Sequence, residues 1–479
     1  MKIRHVIGGD EVDSTDGATY DDIDPYTQES YASVARGGEA DTDLAVTAAR
    51  RAFDEGPWPK MGFAERGRLL HRFADLIEQH TDELAEAESR DMGKPRAVVA
   101  GHDVPRSAAN IRFFADHARL SVAETYPSDT GHHTYTRYES AGVVAAISPW
   151  NFPLMLATWK IAPALAWGNT VVLKPAEDTP RSAALLGRLA LEAGIPDGVL
   201  NVVLGFGDAG ATLVKDSRVD RITFTGSSAT GRAIAASAAA HLTPVSLELG
   251  GKGANLVFDD ADLGNAIDWA IRAAFGNTGQ VCLAGSRLYV QRRVYDEFLT
   301  RFTAAAEAMV LGDPAEQQTA LGPLAGEKHF AKVSGYLQAD ALGGGTVVTG
   351  GLGHDWFVRP TVLTDVPADA PVQKDEVFGP VVTVTPFDSE QQGLALADAT
   401  PYGLSAMVFT DNLHRAHRVA AALRSGNVWV NCFFVRDLRA PFGGMGDSGI
   451  GREGGGFSRE FFTEPKSVTM NIIGNIAGG

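Results

Sequence analysis

Short apolar runs alternate with helix-like segments from residue 143 onward. The runs are VVAAI (143–147), TVVLK (170–174), NVVL (201–204) and RITFT (221–225). The helix-like segments begin near Leu154, Arg181, Ala209 and Ser228. Because short, fully apolar strands separated by helices are typical of parallel sheets covered on both faces, this pattern predicts a doubly wound nucleotide-binding layout.

After Glu248 the alternation resumes and predicts a second α/β domain. Its strand-like runs are NLVF, RLYVQ, VVTVTPF, SAMVFT and NVWVN, and its helix-like segments cover 261–275, 295–309, 393–399 and 413–423. Nearer the N-terminus, apolar residues at helical spacing predict helices over 42–55, 64–92 and 108–120. Residues 121–142 predict a projecting hairpin, and residues 467–473 predict a strand that joins another surface or another subunit.

Charge and composition exclude several function classes. The 479 residues include 42 Lys and Arg against 59 Asp and Glu, a net charge of -17, which disfavours non-specific binding to nucleic acid. The most apolar segment, 154–167, contains Lys160 and is shorter than the roughly 20 residues that cross a bilayer. The N-terminus lacks the apolar run of an export signal, which favours the cytoplasm. Two cysteines and the absence of a zinc motif predict no disulfide framework and no metal site.

Cys282 is a candidate nucleophile. It lies in FGNTGQVCLAGSRL, after a glycine-containing loop and just before a predicted strand. A thiolate is the strongest nucleophile that a side chain offers near neutral pH. The alternative is an inert buried cysteine, although the glycines around it suit the close approach of a ligand better than a packed core.

Two polar residues at predicted strand ends complete a candidate catalytic set. Glu248 ends VSLE between two leucines, where partial desolvation raises the pKa of a carboxyl toward the range useful for proton transfer. The alternative is an exposed glutamate. Asn151 lies in a turn between Pro149 and Pro153, where its amide can donate to a developing oxyanion. The alternative is a helix-capping or turn asparagine.

Three segments suit a nucleotide. GFGDAG (205–210) follows a predicted strand, but such glycine patterns are common and no acidic residue follows at the expected distance. TFTGSSATG has Gly226 and Ser227 between a strand and a helix, where free amides favour a phosphate. Lys174 and Glu177 end another strand, where they can bind ribose hydroxyls or simply be solvated.

Taken together, the motifs resemble those of the non-phosphorylating, NAD-dependent aldehyde dehydrogenase superfamily. The motifs that carry the resemblance, in the family's order, are SPWNFP, LKPAE, FTGS, LELGGK, NTGQVC, DEVFGPV (375–381) and PFGGMGDSGIGRE (441–453). The chain departs from the family pattern at Gly253, where serine is usual, and at Gly446, where lysine is usual.

The resemblance implies an aldehyde dehydrogenase-like α/β fold that assembles as a homodimer or homotetramer. We expect a Rossmann-type NAD-binding domain from residues 1–122 and 143–247, followed by a catalytic domain from 248–442. The hairpin 123–142 and the tail 443–479 are expected to form a small β oligomerisation element.

The family mechanism, carried onto matching positions, implies that Cys282 attacks an aldehyde to give a thiohemiacetal. Asn151 and the Cys282 amide stabilise the oxyanion, and hydride transfer to NAD leaves a thioester that a water activated by Glu248 hydrolyses. Because the Glu177 carboxylate repels a 2′-phosphate, NAD is expected rather than NADP. The residues expected at the cofactor are Pro149, Trp150, Lys174, Glu177, Gly207, Gly226, Ser227, Gly231, Leu249, Glu376 and Phe378.

For the substrate, the DVPR and RDLR segments resemble the 2-hydroxymuconic semialdehyde dehydrogenase branch. In that branch the arginines matching Arg106 and Arg436 bind the distal carboxylate of the substrate, which suits a forked guanidinium. The alternative is that both arginines form structural ion pairs. A broad-range or betaine-type enzyme with Trp159 and Phe433 in its pocket is the second interpretation. Outside the family, a cofactor-free cysteine hydrolase and an inactive binding protein remain open.

Overall fold

The computed structural model describes residues 1–472. The helices are α1 (Glu39–Asp54), α2 (Phe63–Gln79), α3 (Thr81–Met92), α4 (Arg96–Val98), α5 (Val104–Arg119), α6 (Pro153–Ala166), α7 (Arg181–Glu192), α8 (Gly207–Lys215), α9 (Ser228–Ala238), α10 (Leu263–Phe275), α11 (Tyr295–Glu307), α12 (Glu327–Tyr336), α13 (Ala339–Leu342), α14 (Pro371–Lys374), α15 (Glu390–Ala397), α16 (Leu413–Ala422) and α17 (Gly455–Phe462). A π-helical turn covers Val99–Asp103.

The strands belong to two large sheets and three small ones. They are β1 (Lys2–Ile3), β2 (His5–Ile7), β3 (Asp10–Val12), β4 (Thr19–Asp24), β5 (Glu29–Ala35), β6 (Thr125–Tyr126), β7 (His132–Ser140), β8 (Val143–Ile147), β9 (Thr170–Lys174), β10 (Leu200–Val202), β11 (Arg221–Thr225), β12 (Val245–Glu248), β13 (Ala254–Val257), β14 (Arg287–Gln291), β15 (Thr346–Leu352), β16 (Val358–Thr364), β17 (Val381–Phe387), β18 (Tyr402–Gly403), β19 (Ser405–Phe409), β20 (Asn427–Val430), β21 (Met445–Gly446), β22 (Gly449–Ile450) and β23 (Thr463–Asn471).

The first large sheet has the order β22-β12-β11-β8-β9-β10-β2-β3. Its five central strands, β12 to β10, are parallel, and their order reverses between β8 and β11. Helices α6 and α7 pack on one face and α1, α8 and α9 on the other, so every residue of β9 and β11 is buried. The predicted doubly wound layout is confirmed, and its reversal point lies at the carboxyl edge where ligands bind in such folds.

The second large sheet has the order β15-β16-β17-β14-β13-β19-β20 and is parallel except for β15. The predicted second α/β unit is therefore confirmed. Residues 249–253, LGGKG, cross from β12 in the first sheet to β13 in the second. Because this crossover is only five residues long, the carboxyl end of β12 lies close to the start of the second unit.

The predicted hairpin and the predicted C-terminal strand form one small sheet, β23-β7-β6. Strand β23 pairs with β7 of the same chain from Thr463 opposite Ser140 to Asn471 opposite His132. The last residue of the predicted 467–473 strand and the rest of the tail, 473–479, lie outside the described residues. The C-terminal segment before β23 also contacts the first large sheet and its helices. Strand β22 pairs with β12, and α17 packs on α5 and α6.

Among the predicted elements whose limits differ, two differ for a local reason. The helix predicted over 64–92 is interrupted at His80, which separates α2 from α3. The Thr81 hydroxyl donates to the Glu78 carbonyl at 2.6 Å, and such local side-chain bonds compete with helix continuation. The strand predicted over 201–204 ends at Val202, because the Leu204 amide donates to the side chain of His5, at Nδ1, instead of a backbone carbonyl of a neighbouring strand. Within residues 1–472, no helix is both long and apolar enough to cross a membrane.

Candidate active site

A groove follows the carboxyl edge of the first sheet and consists of two adjoining cavities. The larger, about 540 Å³, is lined by the predicted residues Pro149, Trp150, Lys174, Glu177, Gly207, Gly226 and Ser227. The smaller, about 210 Å³, is lined by Pro149, Trp150, Asn151, Gly226, Ser227, Leu249, Cys282, Glu376 and Phe378. Because the two share lining residues, one elongated ligand can reach from Lys174 to Cys282.

Cys282 lies on a loop whose backbone is strained a few residues before the cysteine. Asn277 and Thr278, which precede it, have left-handed backbones with φ of 51° and 55°. Asn277 Nδ2 donates to the carbonyls of Asn151 at 2.9 Å and Gln280 at 3.2 Å, which ties the Cys282 loop to the turn bearing Asn151. Non-glycine residues rarely adopt this conformation, and such strain persists where the surroundings hold it in place.

Glycines in the crossover allow the Cys282 loop to pack closely. A Cβ atom at Gly251 would lie 2.4 Å from the Cys282 carbonyl oxygen, and one at Gly253 would lie 2.5 Å from the Ala284 carbonyl oxygen. The departure at Gly253 therefore touches the loop that carries the thiol. Gly446 has a φ of 58°, in the region that favours glycine.

Asn151 Nδ2 donates one hydrogen bond, to the Gln280 carbonyl at 2.9 Å. Its amide group has a second N–H, and Asn151 and Cys282 line the same cavity. Burial, with the nearby carboxylates Glu376 and Glu248, raises the pKa of the Cys282 thiol to about 12. The thiol is therefore protonated at neutral pH and has to lose its proton to become a nucleophile.

Glu248 ends β12 and is 5% exposed, which excludes the solvated strand-end alternative. Among residues 1–472 its Oε1 atom has no hydrogen-bond partner. Burial raises the pKa of Glu248 well above its ordinary value, and the nearby Glu453 carboxylate adds to this, while Lys160, Arg436 and Arg452 oppose it. A buried carboxylate with a raised pKa suits the acceptance of a proton.

A buried ion pair lies behind Glu248. Lys160 Nζ, on α6, is 3.2 Å from Glu453 Oε1, and it also donates to the Thr223 hydroxyl at 3.1 Å. Glu453 follows β22 by three residues, and β22 lies beside β12 because Gly449 pairs with Glu248. This ion pair was not predicted from the sequence, since its members are 293 residues apart.

The predicted substrate residues form a second group on the α5–α6 side. The Arg436 guanidinium lies over the Trp159 ring at 4.5 Å and over the Phe442 ring at 3.8 Å. Burial and the neighbouring Arg106 lower the pKa of Arg436 to about 10, and the charges of Glu453, Glu248 and Cys282 oppose this. Within the described chain Arg436 Nη2 is buried and unpartnered, whereas Arg106 Nε donates to Asn110 Oδ1 at 3.2 Å. Phe433 packs in the same apolar cluster as Cys282.

The candidate cofactor-binding residues make different contacts with their neighbours in the protein. Lys174 Nζ lies 3.7 Å from the Glu177 carboxylate, and the Ser227 hydroxyl caps α9 by accepting from the Thr230 amide at 3.2 Å. Glu376 Oε1 accepts from the Gly251 amide at 2.8 Å, and burial raises the pKa of Glu376. Gly231 lies beside the cavities, where a Cβ atom would collide with Leu249.

Two residues of α12 that were not predicted also line the smaller cavity, His329 and Lys332. The His329 ring lies 4.8 Å from the Trp150 ring and its Nε2 bonds to the Phe378 carbonyl at 2.8 Å. Burial lowers the pKa of His329 to about 4, so the ring is neutral near pH 7. The sequence around α12 contains no motif that indicates a site.

Residues 1–472 contain no group of three or more His, Cys, Asp or Glu side chains arranged to hold a metal ion. The aldehyde dehydrogenase family model matches residues 12–468. The chain belongs to the aldehyde dehydrogenase family. The predicted family and the predicted oxidoreductase class are therefore confirmed, and an unrelated cysteine hydrolase is no longer needed to explain Cys282.

This aldehyde dehydrogenase is similar to several known proteins along its length. It is 47% identical to the 2-hydroxymuconic semialdehyde dehydrogenase of Pseudomonas sp. (strain CF600), covering 98% of this chain and all of that one. The NAD+ complex of an aldehyde dehydrogenase from Bacillus cereus matches with a TM-score of 0.96 and 42% identity, over 98% of this chain and 97% of that one. A betaine aldehyde dehydrogenase from Staphylococcus aureus, also with NAD+, matches with a TM-score of 0.95 and 36% identity, over 99% of this chain and 95% of that one. The predicted aldehyde dehydrogenase-like fold is confirmed.

Proposed function

We propose that this aldehyde dehydrogenase uses NAD to oxidise a carboxylate-bearing semialdehyde, such as 2-hydroxymuconic semialdehyde, to the corresponding acid. The observation that carries the proposal is the Arg436 guanidinium, held between two aromatic rings with Nη2 buried and unpartnered in the described chain. A buried, unpaired arginine is costly unless an anion completes its hydrogen bonds.

Arg106 strengthens this argument. The two guanidinium groups are close enough for the charge of Arg106 to lower the pKa of Arg436, yet neither has a carboxylate within ion-pair distance in residues 1–472. A substrate carboxylate would supply an anionic hydrogen-bond acceptor to both guanidinium groups. The structural ion-pair alternative lacks its carboxylate partners, and the name of the Pseudomonas relative supports the same substrate class.

The groove fits a dinucleotide. The Ser148 and Thr225 hydroxyls at the ends of β8 and β11 are buried and lack hydrogen-bond partners among the described residues, so polar groups of a ligand can satisfy them. Lys174 and Glu177 suit ribose hydroxyls, the α9 N-terminus at Ser227 suits a phosphate, and Glu376 suits the second ribose. When bound, NAD+ supplies the hydride acceptor. The Bacillus cereus relative was solved as its NAD+ complex.

We infer the following order of events at the protein's own residues. The Cys282 thiol releases its proton to solvent water and its sulfur bonds to the aldehyde carbon, while the carbonyl oxygen gains the negative charge. The free N–H of Asn151 Nδ2 and the Cys282 amide donate to that oxygen. Once hydride has left the carbon, a thioester joins it to Cys282. Glu248 removes a proton from water, the hydroxide adds to the thioester, and the Cys282 thiolate leaves as the acid is released.

The betaine-type interpretation is less well supported. A trimethylammonium aldehyde would need an open aromatic face or a nearby carboxylate, but the guanidinium of Arg436 already covers the Trp159 ring. A second cation beside Arg436 and Arg106 would also be repelled. Phe433 therefore contributes an apolar wall for the chain of an acidic substrate.

We also propose that the protein acts in the cytoplasm as a homodimer or homotetramer with the domain limits inferred from the sequence. Support for assembly comes from the β6–β7–β23 sheet and the residues that flank it, where Val122, Tyr126, Met470 and Ile472 are 74%, 50%, 46% and 65% exposed. Exposed large apolar side chains favour burial against another copy.

A comparison of substrates and cofactors tests the proposed function. The test measures kcat/KM of the purified protein for a muconic-type semialdehyde and for a neutral aldehyde of similar size, each with NAD and with NADP. We expect a clear preference for the acidic semialdehyde and for NAD. Equal values for the two aldehydes would refute the substrate class, and equal values for the two cofactors would refute the role of Glu177.

A further inference from the structure

A cluster of buried ionisable residues, Glu88, Lys94 and Asp103, lies beneath the turn that carries Asn151. All three are 3% exposed or less, and none belongs to the groove or to the catalytic steps above. Lys94 and Asp103 form a close ion pair. Buried ion pairs of this kind contribute little to stability relative to apolar residues, so another reason for the cluster has to be sought.

Glu88 binds the start of α6. Its Oε1 atom accepts from the Leu154 amide in a close contact and from the Ser182 hydroxyl at 3.0 Å. Leu154 is the second residue of α6, in the first turn, where backbone amides have no partner within the helix. A carboxylate there fixes the first turn of the helix, and Asn151 lies only three residues before Leu154.

Lys94 holds the other side of the same turn. Its Nζ atom lies 3.9 Å from the centre of the Phe152 ring, directly after Asn151 in the chain. A desolvated ammonium over an aromatic face is among the stronger contacts of this type. Asn277 Nδ2 also bonds to the Asn151 carbonyl, so the turn contacts both the Cys282 loop and the buried cluster.

Asp103 links the cluster to the substrate side. It ends the π-helical turn Val99–Asp103, and α5, which carries Arg106, begins at the next residue. On α5, Asn110 accepts from Arg106 and donates to the Met155 carbonyl of α6 at 3.2 Å. π-helical turns such as Val99–Asp103 are frequent at functional sites. The segment before Arg106 and the turn before α6 therefore share one buried ionic support.

We propose that Glu88 and Lys94 are positioning residues for Asn151, since they fix the turn from which its amide meets the developing oxyanion. The inference rests on the oxyanion role given to Asn151 in the proposed function. An oxyanion donor acts only when it is held in place, and a displacement of about 1 Å can reduce a rate by about a hundredfold.

The test compares Glu88→Leu, Glu88→Gln and Lys94→Met, each alone and combined with Asn151→Ala, in the full-length protein. Single-turnover hydride transfer, NAD binding and melting temperature are measured for every variant. We expect Glu88→Leu and Lys94→Met to slow hydride transfer roughly tenfold or more with NAD binding unchanged. Glu88→Gln keeps an acceptor for the Leu154 amide and should recover most of the rate. In the Asn151→Ala background both changes should have effects below about twofold.

Asp41→Asn is a matched control. Asp41 is also a buried carboxylate in the first turn of a helix, where it accepts from the Gly38 and Thr15 amides at 2.9 and 2.8 Å. Its helix, α1, packs on the face of the first sheet opposite to α6, which follows Asn151. We expect it to lower the melting temperature and leave hydride transfer unchanged. If Glu88→Leu does not fold, Lys94→Met and Glu88→Gln still decide the question.

The inference is overturned if Glu88→Leu or Lys94→Met slows hydride transfer by the same factor with and without Asn151. It is also overturned if Asp41→Asn slows hydride transfer as much as they do. A separate result concerns Asn151→Ala alone. If that variant transfers hydride at the wild-type rate, Asn151 does not stabilise the oxyanion, and both that part of the proposed function and the positioning inference fail.

Discussion

Replacing Arg436 by methionine tests the acidic-substrate proposal at its most specific point. Methionine keeps an unbranched stem between the Trp159 and Phe442 rings, whereas the guanidinium and its charge are lost. The Arg436 Nη2 atom has no protein partner in residues 1–472, so the variant leaves no former partner of that atom unsatisfied. The change therefore removes a donor for the substrate with little disturbance of the surrounding structure.

The expected effect follows from the chemistry of the contact. A hydrogen bond between a buried guanidinium and a carboxylate is worth roughly 1.5–3 kcal/mol, and each 1.4 kcal/mol or so corresponds to a factor of ten. We therefore expect kcat/KM for the semialdehyde to fall by roughly 10- to 150-fold. For a neutral aldehyde of similar size the value should stay within about threefold of wild type, because only the apolar walls contact it.

The assay follows the absorbance of the reduced nicotinamide with both aldehydes and both proteins. Because Arg436 opposes the rise in the pKa of Glu248, its loss raises that pKa and reduces activity at low pH for every substrate. The ratio of the two kcat/KM values cancels this common effect, and a measurement on the alkaline side reduces it further. If wild type and Arg436→Met have the same ratio, the arginine does not bind a substrate carboxylate and the reasoning is refuted.

Three further changes test the catalytic and cofactor assignments. Glu453→Gln removes a negative neighbour that helps to raise the pKa of Glu248; since the base works only when deprotonated, the acidic limb of the kcat–pH profile should move to lower pH. Cys282→Ser should abolish aldehyde oxidation while NAD binding, followed by tryptophan fluorescence, is retained. Glu177→Ser should raise the NADP-to-NAD ratio of kcat/KM by roughly tenfold or more, because repulsion of a 2′-phosphate is removed.

Each of these has a result that contradicts it. An acidic limb that stays in place or moves to higher pH in Glu453→Gln would mean that another group sets it. Aldehyde oxidation by Cys282→Ser would exclude the thioester route. An unchanged cofactor ratio in Glu177→Ser, with unchanged NAD affinity, would mean that Glu177 does not meet the ribose.

Buried parallel strands were predictable because they are short runs rich in apolar residues. The limits of β8, β9, β11, β14 and β17 agree with their apolar runs, since strands covered on both faces need no polar alternation. The break at His80 was not predictable from periodicity, because the apolar spacing continues through it and only local side-chain bonds end α2.

Candidate site residues were predictable where a local motif carries them. Asn151, Glu248 and Cys282 come from three separate motifs, and Asn151 and Cys282 line one cavity while Glu248 lies close by. His329 had no such signal, and although Glu453 ends a motif, nothing in the sequence indicated that it pairs with Lys160. Their positions depend on how α12 and the C-terminal segment pack against distant parts of the chain, which residue spacing does not encode.

The pairing of β22 with β12 has a consequence for synthesis of the protein. The strand that ends in Glu248 obtains its outer neighbour about 200 residues later in the chain, since Gly449 lies opposite Glu248. Until residues 443–462 have left the ribosome, that edge of the sheet is open and Lys160 has no counter-ion from Glu453. A prematurely terminated chain that ends before these residues lacks both the outer neighbour of β12 and the counter-ion of Lys160. We therefore expect the surroundings of Glu248, the proposed base, to be completed late in translation.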